Sequence, residues 1–344
     1  MTESVQMPER ILIIDDEENV VALIERILRR GGYENVRTAT DARLALPLFR
    51  EFEPDLILMD LHMPFLDGVN VMQQLRQRNE AGEFLPVVLV TGDTAPGARQ
   101  QALSAGANDF LLKPFDATDV LLRIRNLLDL RKQYHDVNAQ VDRHRREVRE
   151  LQIEMAERLA RVAEGRDSAD GSLPAQFGML CAAIAEELGL DNEQIDLIRW
   201  AAPLHDIGMV GMPEILVKPG SLSLEELDLL KTHTSIGSQV VSGSRSPILR
   251  MAEEIALYHH ENWDGTGYTP GLSGDSIPLP ARIVAVADTF FAMTHDRPYQ
   301  RARPVGEVLS WIEEQAGRKF DPAVVRAFMD AYERVSLPLL EEVE

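Results

Sequence analysis

Between Asp116 and Glu164 the chain contains neither glycine nor proline. Across this stretch apolar or semi-polar residues recur three and four apart: Leu127, Leu130, Tyr134, Val137, Val141, His144, Val148, Leu151, Met155 and Val162, with Arg158 as one break. A run without helix breakers that keeps this spacing specifies a long helix. Charges of both signs fill its outer positions, so it reads as a parallel coiled coil and hence a homodimer. The alternative is a long amphipathic helix packed on its own domains. At 1.5 Å per residue the helix would extend about 70 Å. His144 then serves packing or register rather than ligation. A helix of this kind divides the chain into residues 1–128, a linker over 129–165 and residues 166–344.

The first part alternates strand and helix signals. Ile11 to Ile14, Leu56 to Met59, Val87 to Val90 and Phe110 to Leu112 are apolar runs of strand length, read as the first, third, fourth and fifth strands. Val20 to Arg30, Ala42 to Phe52 and Val69 to Arg78 read as helices. Fully apolar strands alternating with helices imply a parallel sheet covered on both faces. Such sheets carry their sites at the carboxyl ends of the strands. Asp15, Asp16 and Asp60 stand at such ends and form a hard oxygen set suited to Mg²⁺. Lys113 and Thr91 close the fifth and fourth strands, where an ammonium and a hydroxyl can meet phosphoryl oxygens.

The last part reads as all-helical after a break at Gly165 to Pro174. Helices are expected over 175–188, 192–204, 224–237, 247–260, 279–293 and 305–314, and a final one after Asp321 with Pro322 in its first turn. One glycine-rich loop spans 264–277. His205-Asp206, His233, His259-His260 and Asp288 recur along these helices. Imidazole suits iron, zinc or manganese, and a carboxylate can bridge two ions.

Met59-Asp60-Leu61-His62-Met63-Pro64, with Asp67-Gly68 and Lys113-Pro114, resembles the receiver (CheY-like) family across essentially the whole first part. The resemblance implies a flavodoxin-like α/β domain with a doubly wound five-stranded parallel sheet. Asp60 would be phosphorylated by a sensor histidine kinase, with Mg²⁺ on Asp15, Asp16 and Asp60. Thr91, Lys113 and Phe110 would be the switch residues.

Leu204-His205-Asp206-Ile207-Gly208 and Ala285-Val286-Ala287-Asp288 resemble the HD phosphohydrolase superfamily. The stretch from His259-His260-Glu261 through Asp264-Gly265-Thr266-Gly267-Tyr268 narrows the likeness to its HD-GYP branch, and Arg297-Pro298-Tyr299 and Phe320-Asp321-Pro322 agree with it. Members are phosphodiesterases that open cyclic di-GMP with two or three metal ions, usually iron or manganese. Carried over, His205, Asp206, His233, His259, His260 and Asp288 would be ligands, with Asp206 bridging, for one or two ions here. His205 and Asp206 would be central to catalysis, and Arg297 would meet a substrate phosphate or guanine.

The chain departs from that pattern at several positions. A Glu and a His that the family places upstream are Ala169 and Leu173 here, and the lysine after the HD-x-Gly stretch is Met209. Thr269 replaces the proline of Gly-Tyr-Pro, Phe291 an acid, and Gln300 a basic residue. One metal position keeps His233, His259, His260 and Asp206, whereas the other keeps only His205, Asp206 and Asp288. These changes point toward weak or absent hydrolysis. Two functions stay open: a phosphorylation-controlled cyclic di-GMP phosphodiesterase, and a degenerate module that binds a protein or the dinucleotide without cleaving it.

Composition narrows the classes. A formal net charge of -21 argues against a DNA-binding output. No run reaches the roughly 18 apolar residues of a membrane span, and Met1 to Arg10 lacks a signal core, so the expected compartment is the cytoplasm. The single cysteine, Cys181, excludes an intrachain disulfide and reads as a small core residue.

Overall fold

The computed structural model describes residues 8–78, 84–92, 100, 103–104, 106–164, 173–213, 223–268, 270–295 and 301–339. Ala169, Gly171, Ser172, Thr269, Gln300 and the Arg297-Pro298-Tyr299 stretch lie outside these residues, as does most of the expected break at Gly165 to Pro174. The chain forms two compact units, Met1–His144 and Arg145–Glu344.

In the first unit five parallel strands lie in the order β2-β1-β3-β4-β5. They are β1 (Ile11–Ile14), β2 (Val36–Ala39), β3 (Leu56–Asp60), β4 (Val87–Thr91) and β5 (Asp109–Leu112). Every residue of β1, β3 and β4 is buried, because side chains alternate between two covered faces. On one face Ile11, Ile13, Leu56, Leu58, Val88 and Val90 meet α1 (Glu18–Arg30) and the start of α4 (Ala117–Glu164). On the other, Leu12, Ile14, Ile57, Met59 and Leu89 meet α2 (Ala45–Phe52) and α3 (Gly68–Arg78). No apolar run marks β2, which is an edge strand with Arg37 and Thr38 exposed. The expected helix over 42–52 opens as a 3-10 turn, Ala42–Leu44.

The helix α4 is continuous for 48 residues. Val120, Ile124, Leu127 and Leu128 belong to the core of the first unit, and Ala156 and Ala160 to that of the second.

The regular elements among the second unit's described residues are all helices, apart from one isolated bridge between Ala316 and Phe320. It comprises the end of α4 with α5 (Leu173–Glu187), α6 (Asn192–Ala201), α7 (Leu224–Lys231), α8 (His233–Val241), α9 (Pro247–Tyr258), α10 (Leu279–Thr294), α11 (Val305–Glu314) and α12 (Pro322–Leu339). Helices α5 and α10 are apolar on most sides and form the centre. Gly178 lets α5 close on α6, since a Cβ there would fall 2.3 Å from the Arg199 carbonyl oxygen.

Two expected helices are interrupted. The α-helix of 192–204 gives way to a 3-10 turn, Ala202–Leu204, around Pro203, which has no N–H to donate. The segment 224–237 is two helices, because Thr232 ends the first: its hydroxyl donates to the Leu229 carbonyl at 2.6 Å, competing with the ladder. Among the described residues no helix is long and apolar enough to cross a membrane.

Candidate functional site

At the carboxyl edge of the first sheet, Asp15, Asp16 and Asp60 offer ligand atoms within 4.8 Å of one another. Asp15 follows β1, Asp60 ends β3 and Lys113 follows β5, so the sheet itself assembles the cleft. The Lys113 Nζ lies 2.9 Å from Asp15 Oδ2, 3.0 Å from Glu17 Oε1 and 3.2 Å from Asp60 Oδ1. Burial alone would lower the Lys113 ammonium, but its bonds to Asp15 and Glu17 and the nearby Asp60 charge hold it above the usual lysine range. Burial, with the Asp15 carboxylate beside it, pushes the Asp60 carboxyl up despite Lys113. That crowding of acids is what a hard divalent cation relieves. The backbone N–H of His62 donates to Asp60 Oδ2 at 3.1 Å, so the turn that follows Asp60 fixes its carboxylate. Gly68 closes this turn: a Cβ would fall 2.4 Å from the Asp60 carbonyl oxygen.

Thr91 is buried at the end of β4, and the Lys113 N–H donates to its carbonyl at 2.8 Å. Phe110 is partly buried on β5, with the Arg123 guanidinium 5.9 Å from its ring centre. Arg123 lies on α4 and also grips Asp109 of β5 at 2.7 and 2.8 Å. Glu17 was not among the expected site residues; its place in the acid run after β1 was the available signal.

In the second unit, Asp206, His233, His259 and His260 offer ligand atoms within 4.8 Å of one another. Asp206 Oδ1 lies 3.3 Å from His233 Nε2 and 3.5 Å from His259 Nε2, and those two nitrogens are 3.5 Å apart. Donors about 2.1 Å from one ion stand roughly 3.0 to 3.4 Å apart for right-angle to tetrahedral geometry. The set therefore fits an ion with little movement. The other carboxylate oxygen, Asp206 Oδ2, lies 3.6 Å from His205 Nε2, which is 3.8 Å from Asp288 Oδ1. One carboxylate thus stands between two groups of donors.

The imidazoles are held from behind. His205 Nδ1 lies 3.0 Å from the Ala202 carbonyl, His233 Nδ1 2.6 Å from that of Leu230, and His259 Nδ1 3.0 Å from that of Ile255. A carbonyl only accepts, so each Nδ1 carries hydrogen and donates, which leaves each Nε2 facing Asp206, protonated when it bonds that carboxylate and a lone-pair donor when it ligates an ion. Burial and the neighbouring His259 drive the His260 imidazole far down, so it is neutral and able to ligate. Burial would raise the Asp206 carboxyl, but His205, His233 and His259 hold it well below the carboxylate range. Burial would lower His233, yet its bond to Asp206 raises it.

Glycine is required at two places around this centre. A Cβ on Gly208 would sit 1.9 Å from the His233 carbonyl oxygen, so the turn after Asp206 packs backbone to backbone on α8. A Cβ on Gly267 would fall 2.3 Å from the Asn262 nitrogen, and the tight loop brings the Tyr268 ring to 4.8 Å from His260.

The far side of His205 is apolar. Phe177 stacks on its ring at 4.7 Å and meets Phe291 at 5.4 Å. Leu173 begins α5, and Met209 is partly exposed. Phe177 carries no sequence signal beyond its place in an apolar helix. Asp288 and His205 lie beside the four-donor cluster rather than within it. Arg297 lies outside the described residues.

Residues 142–324 match the HD domain family, and residues 11–125 match the response regulator receiver domain family. The chain is 36% identical, over 95% of its length and 89% of the relative, to the cyclic di-GMP phosphodiesterase response regulator RpfG of Xanthomonas campestris pv. campestris. It is 34% identical, over 93% of its length and 89% of the relative, to a cyclic di-GMP phosphodiesterase of Thermotoga maritima. A probable cyclic di-GMP phosphodiesterase of Vibrio cholerae serotype O1 is 32% identical over 93% of this chain and 77% of its own.

Proposed function

From the premise that this chain belongs to the family of response regulators that join a receiver domain to an HD domain, we propose that it is a cyclic di-GMP phosphodiesterase controlled by phosphorylation of Asp60. In the cytoplasm a sensor histidine kinase supplies the phosphoryl group, and Asp15, Asp16 and Asp60 would hold the Mg²⁺ that assists its transfer. Thr91 and Lys113 then follow the new charge, and Phe110 repacks with them.

The observation that carries the output reading is the placing of Asp206, with one oxygen toward His233 and His259 and the other toward His205. Iron or manganese suits this imidazole and carboxylate set. His233, His259, His260 and Asp206 would hold the tighter ion, and His205, Asp206 and Asp288 a weaker one. When bound, the ions supply Lewis acidity to a phosphoryl oxygen and to water. Asp206 fixes His233 and His259 against one carboxylate oxygen, Tyr268 lies against the His260 ring, and Arg297 would meet a phosphate or a guanine of the dinucleotide. Turnover is slow, because Leu173 and Phe291 stand where the family places a histidine and an acid, and Met209 where it places a lysine. His205→Ala should abolish hydrolysis of cyclic di-GMP by metal-replete, anaerobically prepared protein. Equal rates in the variant and the parent would refute this reading.

Those same apolar side chains favour a second reading, a module that binds cyclic di-GMP without cleaving it. Under that reading the dinucleotide binds in calorimetry and is recovered intact.

A further inference from the structure

A lysine stands over the aromatic ring that borders the output centre. Lys231 ends α7, and its Nζ lies 5.9 Å from the centre of the Tyr268 ring. That ring in turn lies 4.8 Å from the ring of His260, one of the four clustered donors. The backbone N–H of Tyr268 donates to the His260 carbonyl at 3.3 Å, so phenol and imidazole are held together. A cation over the face of a tyrosine is attracted by the ring quadrupole, which draws the ammonium toward this ring.

The backbone of Lys231 is tied to the same centre. The last three carbonyls of α7 are each taken by the side chain three residues on. Thr232 Oγ1 donates to Leu229 at 2.6 Å, His233 Nδ1 to Leu230 at 2.6 Å, and Thr234 Oγ1 to Lys231 at 3.0 Å. The middle bond also orients an imidazole of the cluster. Lys231 is therefore set by the same turn that aims His233 at Asp206.

Its ammonium can exchange partners. Lys231 pairs with Asp228 at 2.9 Å, and the two side chains are 47% and 76% exposed. Such a pair contributes little in water, so a phosphate can replace the carboxylate. Lys319 is differently placed. Its Nζ donates to Thr289, beside Asp288, at 3.3 Å, and lies 5.7 Å and 5.3 Å from the Trp311 and Phe320 rings, which engages it between α10 and α11.

Charge sets the need for such a cation. Asp206 and Asp288 are acids, the chain carries a net charge of -21, and Met209 stands where the family places a lysine. A cyclic dinucleotide brings two phosphodiesters, and the donor cluster with its ions serves only one of them. Building on the reading of this centre as a cyclic di-GMP site, we propose that Lys231 binds the other phosphodiester. It is a substrate-binding residue and takes no part in bond cleavage.

The test uses the full chain loaded with Mn²⁺, with calorimetry of cyclic di-GMP and of 5′-GMP. Lys231→Met keeps the apolar stem over Tyr268 and removes the charge. It should weaken cyclic di-GMP binding about tenfold, as expected for one charge-assisted bond. Lys231→Arg should recover affinity to within about threefold of the parent. Asp228→Asn removes the competing carboxylate and should tighten binding about twofold. The single phosphate of 5′-GMP occupies the donor cluster, so 5′-GMP should bind the parent and Lys231→Met alike. Mn²⁺ affinity and circular dichroism should also be equal in these two proteins. A parent that binds no cyclic di-GMP would overturn the reading of the centre and this assignment with it. A parent that binds it no more tightly than Lys231→Met would overturn the assignment of Lys231 alone. Equal weakening toward 5′-GMP and the dinucleotide would overturn the choice of phosphodiester. Weaker Mn²⁺ binding in Lys231→Met would overturn the proposal by making Lys231 a support of the His233 turn.

Discussion

Single residues decide whether the output centre can form. Gly208 is the clearest case, because any side chain must displace the His233 carbonyl that lies 1.9 Å from its Cβ position. Gly208→Ala should therefore move α8 and carry His233 away from Asp206. We expect a loss of about 1 to 3 kcal/mol in stability, the usual range for overpacking. Mn²⁺ affinity should fall about tenfold or more on the same displacement of a ligand. Urea unfolding and calorimetry measure the two effects separately. Cys181 illustrates a residue with no chemistry. It is fully buried, and desolvation pushes its thiol up, so the reactive thiolate is suppressed. A thiol reagent should leave it untouched in the folded protein and label it only after denaturant is added. The metal-type side chains were legible from residue type alone. The Phe177 ring against His205 was not, since an aromatic in an apolar helix gives no sign of which neighbour it covers.

At the scale of elements, α4 reads plainly from sequence because nothing interrupts it and its periodicity persists. Edges and breaks read poorly. The strand β2 is not legible in the sequence because an edge strand exposes polar residues and loses the apolar signature. The split between α7 and α8 at Thr232 depends on a side-chain hydroxyl bonding a carbonyl, which periodicity does not register. The faces of α4 differ in what they tolerate. Ala156 and Ala160 are almost wholly buried in the second core. Ala156→Leu should destabilise the second unit by about 1 to 3 kcal/mol through overpacking. Val148→Thr, on the open face, should shift single-chain stability by less than about 0.5 kcal/mol. Denaturant titrations of both variants, followed by helical circular dichroism, check the contrast.

On the scale of the whole molecule, the first unit holds a cleft of carboxylates around Lys113 and the second a cluster of imidazoles around Asp206. One helix begins in the former and ends in the latter. Arg123 ties the start of that helix to β5 through Asp109 and lies near Phe110. Arg123→Ala should leave phosphorylation of Asp60 intact while reducing its effect on output. Cyclic di-GMP turnover, with and without a beryllofluoride mimic of the acyl phosphate, would read this: a smaller change in the variant than in the parent supports the link. The two-domain plan and both constellations were evident in the sequence because the chemistry confines residue type at each position. How many ions a depleted donor set retains depends on free-energy differences of a few kcal/mol, and residue identity alone does not determine these.

The most direct measurement is elemental analysis of anaerobically purified protein, joined to a cyclic di-GMP hydrolysis assay on the same preparation. We predict at least one tightly held iron or manganese ion per chain and slow formation of linear product. Removal of the metal with chelator should stop the reaction, and Mn²⁺ should restore it. Metal-free protein that leaves the dinucleotide intact after reconstitution would contradict the assignment of His205, Asp206, His233, His259, His260 and Asp288 as a working centre.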